Sequence, residues 1–168
     1  MMELIKCFNL IGIFCLCSYI GVIKAQKYEI RVIELNRFKN ALYVFKSKIE
    51  FTYEPIKNIF EEISKIIYKE EKNIFKEAIK CEEKINENWE LAAEELNDKL
   101  DKEDIYAIKT LGKLLGKTDV KGQVSEILLV ESLIEKQISK AECEKQKNSK
   151  LCKNMGIIIG LGICIMFV

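Results

Sequence analysis

The stretch from Leu100 to Gln123 constrains the fold most, because it contains the end of one helix, a complete second helix and the start of a third. Apolar residues in the second helix recur at spacings of three and four, which places them on one helical face. These residues are Ile105, Ile108, Leu111 and Leu115. Asp101 can cap this helix, and Asp104 three residues later forms a weaker version of the capping box. The stretch therefore predicts a helical hairpin.

The corner of this hairpin is predicted at residues 116–119. Gly116 should end the second helix, since glycine takes the left-handed conformation there without strain. Thr118 offers an oxygen to cap the next helix, and Asp119 places negative charge at its positive end. The segment Gly116-Lys117-Thr118 also resembles the end of a phosphate-binding loop, but that motif needs glycine where Leu111 stands and a strand before it. We therefore interpret Gly116 and Thr118 as a structural corner and predict no nucleotide site.

Helical spacing of apolar residues in the rest of the chain predicts an all-α fold, a bundle of about six helices. The longest pattern is a heptad-like stripe at spacings of three and four. It consists of Leu35, Phe38, Leu42, Phe45 and Ile49. Packing inside one chain is the preferred interpretation of this stripe, and a coiled-coil dimer is the alternative. Pro55 fits the first turn of the following helix, and Trp89 lies on an apolar face typical of a core residue.

Both ends of the chain are apolar. The run from Cys7 to Ile23 is near the short limit for a membrane span, and the segment from Met155 to Val168 is shorter still. For the first run, an uncleaved anchor is preferred over a signal peptide, because Ile23 occupies a place where cleavage needs a small residue. Gly156 and Gly160 form a GxxxG pair, which predicts close membrane helix packing, with a chance occurrence as the alternative.

These patterns divide the chain into an N-terminal membrane anchor (residues 1–25), a helical bundle (26–154) and a C-terminal membrane anchor (155–168). Basic residues follow the apolar run of the first anchor, which ends at Ile23, and precede the second anchor. They are Lys24, Lys27, Arg31, Lys147, Lys150 and Lys153. Because cytoplasmic flanks of membrane helices are enriched in Lys and Arg, both ends predict that the bundle is cytoplasmic.

Composition argues against an enzyme, a metalloprotein and a nucleic-acid-binding protein. The chain has no histidine, and its 27 basic and 26 acidic residues leave a net charge of +1. The commonest general base is therefore missing, and so is the basic surface that nucleic acid requires. The seven cysteines have no CxxC spacing. We predict no catalytic, cofactor-binding or metal-binding residue. An enzyme remains the alternative if a structure reveals a cleft of convergent carboxylates.

Particular residues along the whole chain carry a family resemblance. The most specific are Leu100, Glu103-Asp104, Gly112, Leu115-Gly116, Thr118-Asp119 and Gln123, followed by Gly21, Ala25, Tyr28, Arg31, Leu35, Leu42, Pro55-Ile56, Trp89, Lys150-Leu151, Met155-Gly156 and Gly160-Leu161. In these positions the sequence resembles the stage III sporulation protein AB family of endospore-forming bacteria. It departs from the family pattern at Lys46 and Lys48, where acidic residues are expected, and at Cys152, which replaces an aromatic residue.

The resemblance implies a bundle like the cytosolic domain of the inner-membrane platform proteins of type II secretion and type IV pilus systems. It further implies a non-enzymatic subunit of a sporulation channel complex, in the mother-cell membrane that faces the forespore. The implied partners are the lipid bilayer, other subunits of that complex and a cytosolic secretion-type ATPase. A generic membrane-tethered coiled-coil scaffold that homodimerises is the alternative.

Four polar residues near the hairpin are not explained by core packing in the sequence. They are Asp104, Lys117, Asp119 and Gln123. Asp104 belongs to the far end of its helix, roughly three turns from Asp119, so one patch cannot contain all four. We predict that Lys117, Asp119 and Gln123 form a partner-binding surface, although helix capping explains Asp119 equally well.

Overall fold

The computed structural model describes residues 2–52, 54–68, 70, 73–81, 84–114 and 119–167. Within these ranges the fold is all-α, with six α-helices and no strand, which confirms the predicted fold class. The helices are α1 (Met2–Phe51), α2 (Ile56–Ile63), α3 (Ile74–Ala78), α4 (Ile85–Glu94), α5 (Lys102–Leu114) and α6 (Val120–Phe167). A π-helical turn, Ser64–Tyr68, extends α2, and a 3₁₀ turn, Glu95–Asp98, follows α4.

The first and last helices are longer than the sequence patterns indicated. The sequence patterns predicted a boundary between an anchor (residues 1–25) and the bundle, whereas α1 passes through this point without a break. Likewise, α6 continues through the charged stretch after Ala141 into the apolar tail. Hydropathy changes sharply at Lys24, but Lys, Ala and Gln are all good helix formers and no Gly or Pro intervenes. The change from apolar to charged sequence at Lys24 therefore does not mark a helix boundary.

The chain divides into two compact units. The terminal unit contains residues 1–32 and 140–168, and the central unit contains residues 33–139. The helices α1 and α6 contribute to both units, whereas α2 to α5 lie wholly in the central unit.

An aromatic cluster forms the core of the central unit. Trp89 of α4 is fully buried and contacts Phe38, Phe60 and Phe75, with ring centroids 5.2 to 6.1 Å apart. Phe45 extends the cluster through Phe60, at 5.2 Å. Such aromatic pairs contribute beyond the area that they bury. The prediction that Trp89 is a core residue is confirmed.

The heptad-like stripe of α1 packs inside the chain. Its five residues, from Leu35 to Ile49, are at most 5% exposed. This confirms the intramolecular interpretation. A coiled-coil dimer formed through the same stripe would have to expose the aromatic core, because Phe38 and Phe45 belong to both.

Helix α5 begins as its sequence predicted. The backbone N–H of Asp101 donates a hydrogen bond of 3.0 Å to the Asp104 carboxylate, which is the reciprocal half of a capping box. The predicted apolar face of α5 is buried in its described part, which includes Ile105, Ile108 and Leu111. Ile108 also accepts a 2.8 Å hydrogen bond from the Trp89 indole at its backbone carbonyl. This contact joins α4 and α5.

In the terminal unit, α1 and α6 form an antiparallel pair. Residue numbers rise along α1 and fall along α6 through successive contacts. These contacts are Leu10 with Cys164, Phe14 with Gly160, Gly21 with Gly156, Glu29 with Lys145 and Arg31 with Glu144. A Cβ atom at Gly21 would lie 3.1 Å from the Gly156 Cα and 2.7 Å from the Cys152 carbonyl oxygen. Only glycine permits this backbone approach, so the two glycines fix where the helices cross.

Candidate docking surface

Two of the three predicted partner-binding residues, Asp119 and Gln123, lie at the start of α6. Lys117 falls outside the described residues, as do Gly116 and Thr118 of the predicted corner. Asp119 and Gln123 are brought together in the first turn of α6, because the Gln123 N–H donates to the Asp119 carbonyl at 2.9 Å. Asp119 is exposed and Gln123 is half-buried.

Asp119 has a clear structural role. Its carboxylate accepts a 2.9 Å hydrogen bond from the backbone N–H of Gly122, three residues into the helix. This is the geometry of an N-cap residue, which satisfies one of the free N–H groups at a helix start. The capping role that the sequence allowed for Asp119 is therefore present. Being exposed, the same side chain remains accessible to a partner.

Asp104 is explained by the interior of the central unit. It is fully buried, and its carboxylate caps α5 through the Asp101 N–H. It belongs to the framework that holds the hairpin, and a partner could not reach it without unfolding the start of α5.

Sequence patterns did not reveal a group of exposed apolar residues on α6 and α1. Leu128 and Leu129 of α6 are 47% and 53% exposed, and Tyr43 of α1 is 64% exposed. Two ion pairs between α1 and α6 flank Tyr43: Lys39 with Glu135 at 2.7 Å, and Lys46 with Glu131 at 3.5 Å. Positions 39, 43 and 46 have one-face helical spacing, which was the available signal for this grouping.

The two lysines that depart from the family pattern have acidic partners of their own. Lys46 faces Glu131, the residue that interrupts the apolar stripe of α6, and Lys48 lies 2.8 Å from Glu62 and 3.8 Å from Glu54. The hydrogen bond that Lys48 donates to the Glu62 carboxylate raises the pKa of Lys48 above its ordinary value of 10.5. The departures at Lys46 and Lys48 are thus matched by carboxylates elsewhere in this chain.

A second acidic and basic cluster lies beside a small cavity in the central unit. The Glu34 side chain is buried and accepts a hydrogen bond of 3.2 Å from Arg37, while Lys99 lies 3.6 Å away. Arg37 also bonds Glu70 at 3.1 Å. The cavity has a volume of about 40 Å³, whereas pockets for small molecules occupy several hundred Å³. Its carboxylates are ion-paired, which is typical of a structural network.

A solved structure described as "Stage III sporulation protein AB (SpoIIIAB)" has the same fold, with a TM-score of 0.62 and 20% sequence identity. The match covers 70% of this chain and 98% of that one. No curated protein matches the sequence.

The family model described as "Stage III sporulation protein AB" matches residues 6–168, nearly the whole chain. Two helices, within Asn9–Phe51 and Val120–Met166, are long and apolar enough to cross a membrane, which fits a membrane-associated protein. The predicted family is confirmed by the family match and by the shared fold. The chain therefore belongs to the stage III sporulation protein AB family and has a role in sporulation.

Proposed function

We propose that this protein is a non-enzymatic platform subunit of a secretion-like sporulation complex between mother cell and forespore, and that it docks a cytosolic secretion-type ATPase. The observation that carries the proposal is that this chain, a member of a sporulation family, has a packed central unit whose first and last helices continue into apolar segments. A platform needs a stable folded unit tethered at the membrane, and it needs no chemistry of its own.

The topology in this proposal puts the central unit in the mother-cell cytoplasm. Lys24 and Lys27 follow the apolar part of α1, and Lys150 and Lys153 precede the apolar part of α6. In an antiparallel pair these flanks lie on the same side, and the enrichment of lysine favours the cytoplasmic side.

Labelling in intact cells tests this topology. Single cysteines at positions 69 and 145, in a variant with the native cysteines replaced, should resist a membrane-impermeant thiol reagent and react after the cells are opened. Labelling of either position in intact cells would contradict the proposed orientation.

The docking surface that we propose consists of Lys117, Asp119 and Gln123, and it continues along α6 to Leu128 and Leu129. Asp119 and Gln123 lie at the first turn of α6, and the two leucines follow as an exposed apolar stretch on the same helix. Exposed apolar residues with polar neighbours are the usual composition of a protein interface.

A pull-down of the secretion-type ATPase from the same organism tests this surface. Lys117→Glu should weaken binding while leaving the melting temperature nearly unchanged, since exposed charges contribute little to stability. The matched control is Lys102→Glu, which makes the same charge reversal at the exposed opposite end of α5. Leu128→Asp should weaken binding as well.

Full binding by the Lys117→Glu, Gln123→Lys double variant would rule out the polar part of this surface. If the wild-type chain binds no such ATPase, the platform role itself is contradicted. A homodimeric scaffold is not favoured here, because the stripe that suggested it is buried in the core.

A further inference from the structure

A groove runs beside the glycine crossing of the terminal unit. Its volume is about 230 Å³. It is lined by Cys17, Ile20, Gly21 and Lys24 of α1 and by Cys152, Met155, Gly156 and Ile159 of α6. Apart from Lys24 at one end, these side chains are apolar or thiol-bearing. The groove therefore combines an apolar channel with a single cationic end.

The glycine crossing accounts for the groove. Gly21 and Gly156 bring the two backbones into contact, and they leave no side chain to fill the space beside the crossing. The flanking side chains Ile20, Met155 and Ile159 are 53%, 57% and 49% exposed, so the groove opens outward between them. In a membrane, an opening of this kind faces lipid chains.

The structure pairs the cationic end with no acidic side chain among the described residues. Lys24 follows Gly21 by three residues and Lys153 precedes Gly156 by three, so in the antiparallel pair both lie about 4.5 Å to the same side of the crossing. Neither forms an ion pair within the described part of the chain. The sequence has no Asp or Glu in residues 4–28 or 145–168.

Two basic residues farther along the helices differ in this respect. Lys145 pairs with Glu29 at 3.2 Å, and Arg31 pairs with Glu144 at 2.6 Å. Lys145 and Arg31 are thus neutralised within the chain, whereas Lys24 and Lys153 at the end of the groove are available to an anion from outside.

We propose that this groove binds one anionic phospholipid of the surrounding bilayer. An acyl chain lies along the glycine crossing against Ile20 and Ile159, and the phosphate group contacts the ammonium groups of Lys24 and Lys153. An anionic lipid fits better than a zwitterionic one, because juxtamembrane lysines attract anionic headgroups. The inference rests on the membrane anchoring in the proposed function, and it is independent of the ATPase.

The experiment uses the full chain in vesicles containing equal amounts of phosphatidylcholine and phosphatidylglycerol. Flotation of the vesicles first establishes membrane anchoring. After gentle detergent extraction, native mass spectrometry counts the lipids that remain bound. The wild-type chain should retain one phosphatidylglycerol in preference to phosphatidylcholine.

Three lysine variants test recognition of the headgroup, and two isoleucine variants test recognition of the acyl chain. Lys24→Gln and Lys153→Gln should each lower the preference for phosphatidylglycerol about fivefold. Lys136→Gln should not, because Lys136 is an exposed lysine of α6 far from the groove. Ile159→Trp should fill the groove and lower retention of both lipids. The matched control is Ile158→Trp, whose side chain is exposed on α6 but does not line the groove.

The outcomes distinguish failure of the lipid site from failure of the membrane anchoring. Equal retention of the two lipids, unchanged preference in both lysine variants, or a lipid-free dimer would overturn the lipid site while leaving the anchoring intact. A chain that does not float with the vesicles would overturn the anchoring and the lipid site together.

Discussion

Gly112 gives the sharpest test of how the central unit is packed. It lies in α5 against the indole of Trp89. A Cβ atom at position 112 would overlap Cδ1 of Trp89 and lie 2.9 Å from its Cγ. The indole has little room to move, because its N–H donates to the Ile108 carbonyl at 2.8 Å and its ring packs against three phenylalanines.

Gly112→Ala sets two effects against each other. In an exposed helix, Ala is more favourable than Gly by about 1 kcal/mol. Here, overpacking a rigid core costs about 1–3 kcal/mol. If the indole shifts and its buried N–H loses its partner, the cost rises by about 1–3 kcal/mol more. With both costs set against the gain from alanine, we expect a net loss in the free energy of unfolding of about 1–5 kcal/mol.

Urea unfolding of the full chain in detergent micelles measures this loss, and Trp89 serves as the fluorescent probe because it is the only tryptophan. The control is Gly162→Ala, a helical glycine with open space around it, which should leave this transition unchanged. Replacing Trp89 with leucine in the Gly112→Ala background, followed by circular dichroism, should recover part of the loss. A Gly112→Ala chain as stable as the wild type would refute the close contact with Trp89.

Three further predictions concern single residues. Arg31→Met should lower the melting temperature of the full chain, because the Arg31 side chain is only 5% exposed and Glu144 would lose its partner; the Arg31→Met, Glu144→Met chain should melt higher than the single variant. Gly116→Val should lose more than about 1 kcal/mol of unfolding free energy from strain at positive φ, and an unchanged transition would mean that the corner is not left-handed. Burial raises the pKa of Tyr68 above 10.0, and the charge of the Glu34 carboxylate adds to this effect. The stabilising contribution of the neutral Tyr68 phenol is therefore complete below pH 10 and is lost as pH rises further. Tyr68→Phe should flatten this alkaline decline in stability.

Local rules predicted much of the central unit correctly. The capping pair of Asp101 and Asp104 and the N-cap role open to Asp119 depend on residues three positions apart, which a sequence displays directly. The stripe from Leu35 to Ile49 was also recognisable, because helical periodicity places its members on one face.

Pairings between distant segments could not be read in this way. Gly21 was visible as a family residue, but its role as the contact of Gly156 depends on how α1 and α6 align over more than a hundred residues. The pairing of Lys46 with Glu131 is of the same kind. In the sequence, Lys46 appeared only as a departure from the family pattern, and Glu131 only as an interruption of the apolar stripe of α6.

The sequence by itself determined the helical class, the family, the two apolar ends and the start of each hairpin helix, because these follow from composition, periodicity and capping within a few residues. Only the tertiary structure decided that α1 and α6 run without a break, that Gly112 makes room for Trp89, and that the stripe of α1 belongs to an internal core. The physical reason is that packing depends on which surfaces meet in space, and a linear pattern shows only which surface is apolar.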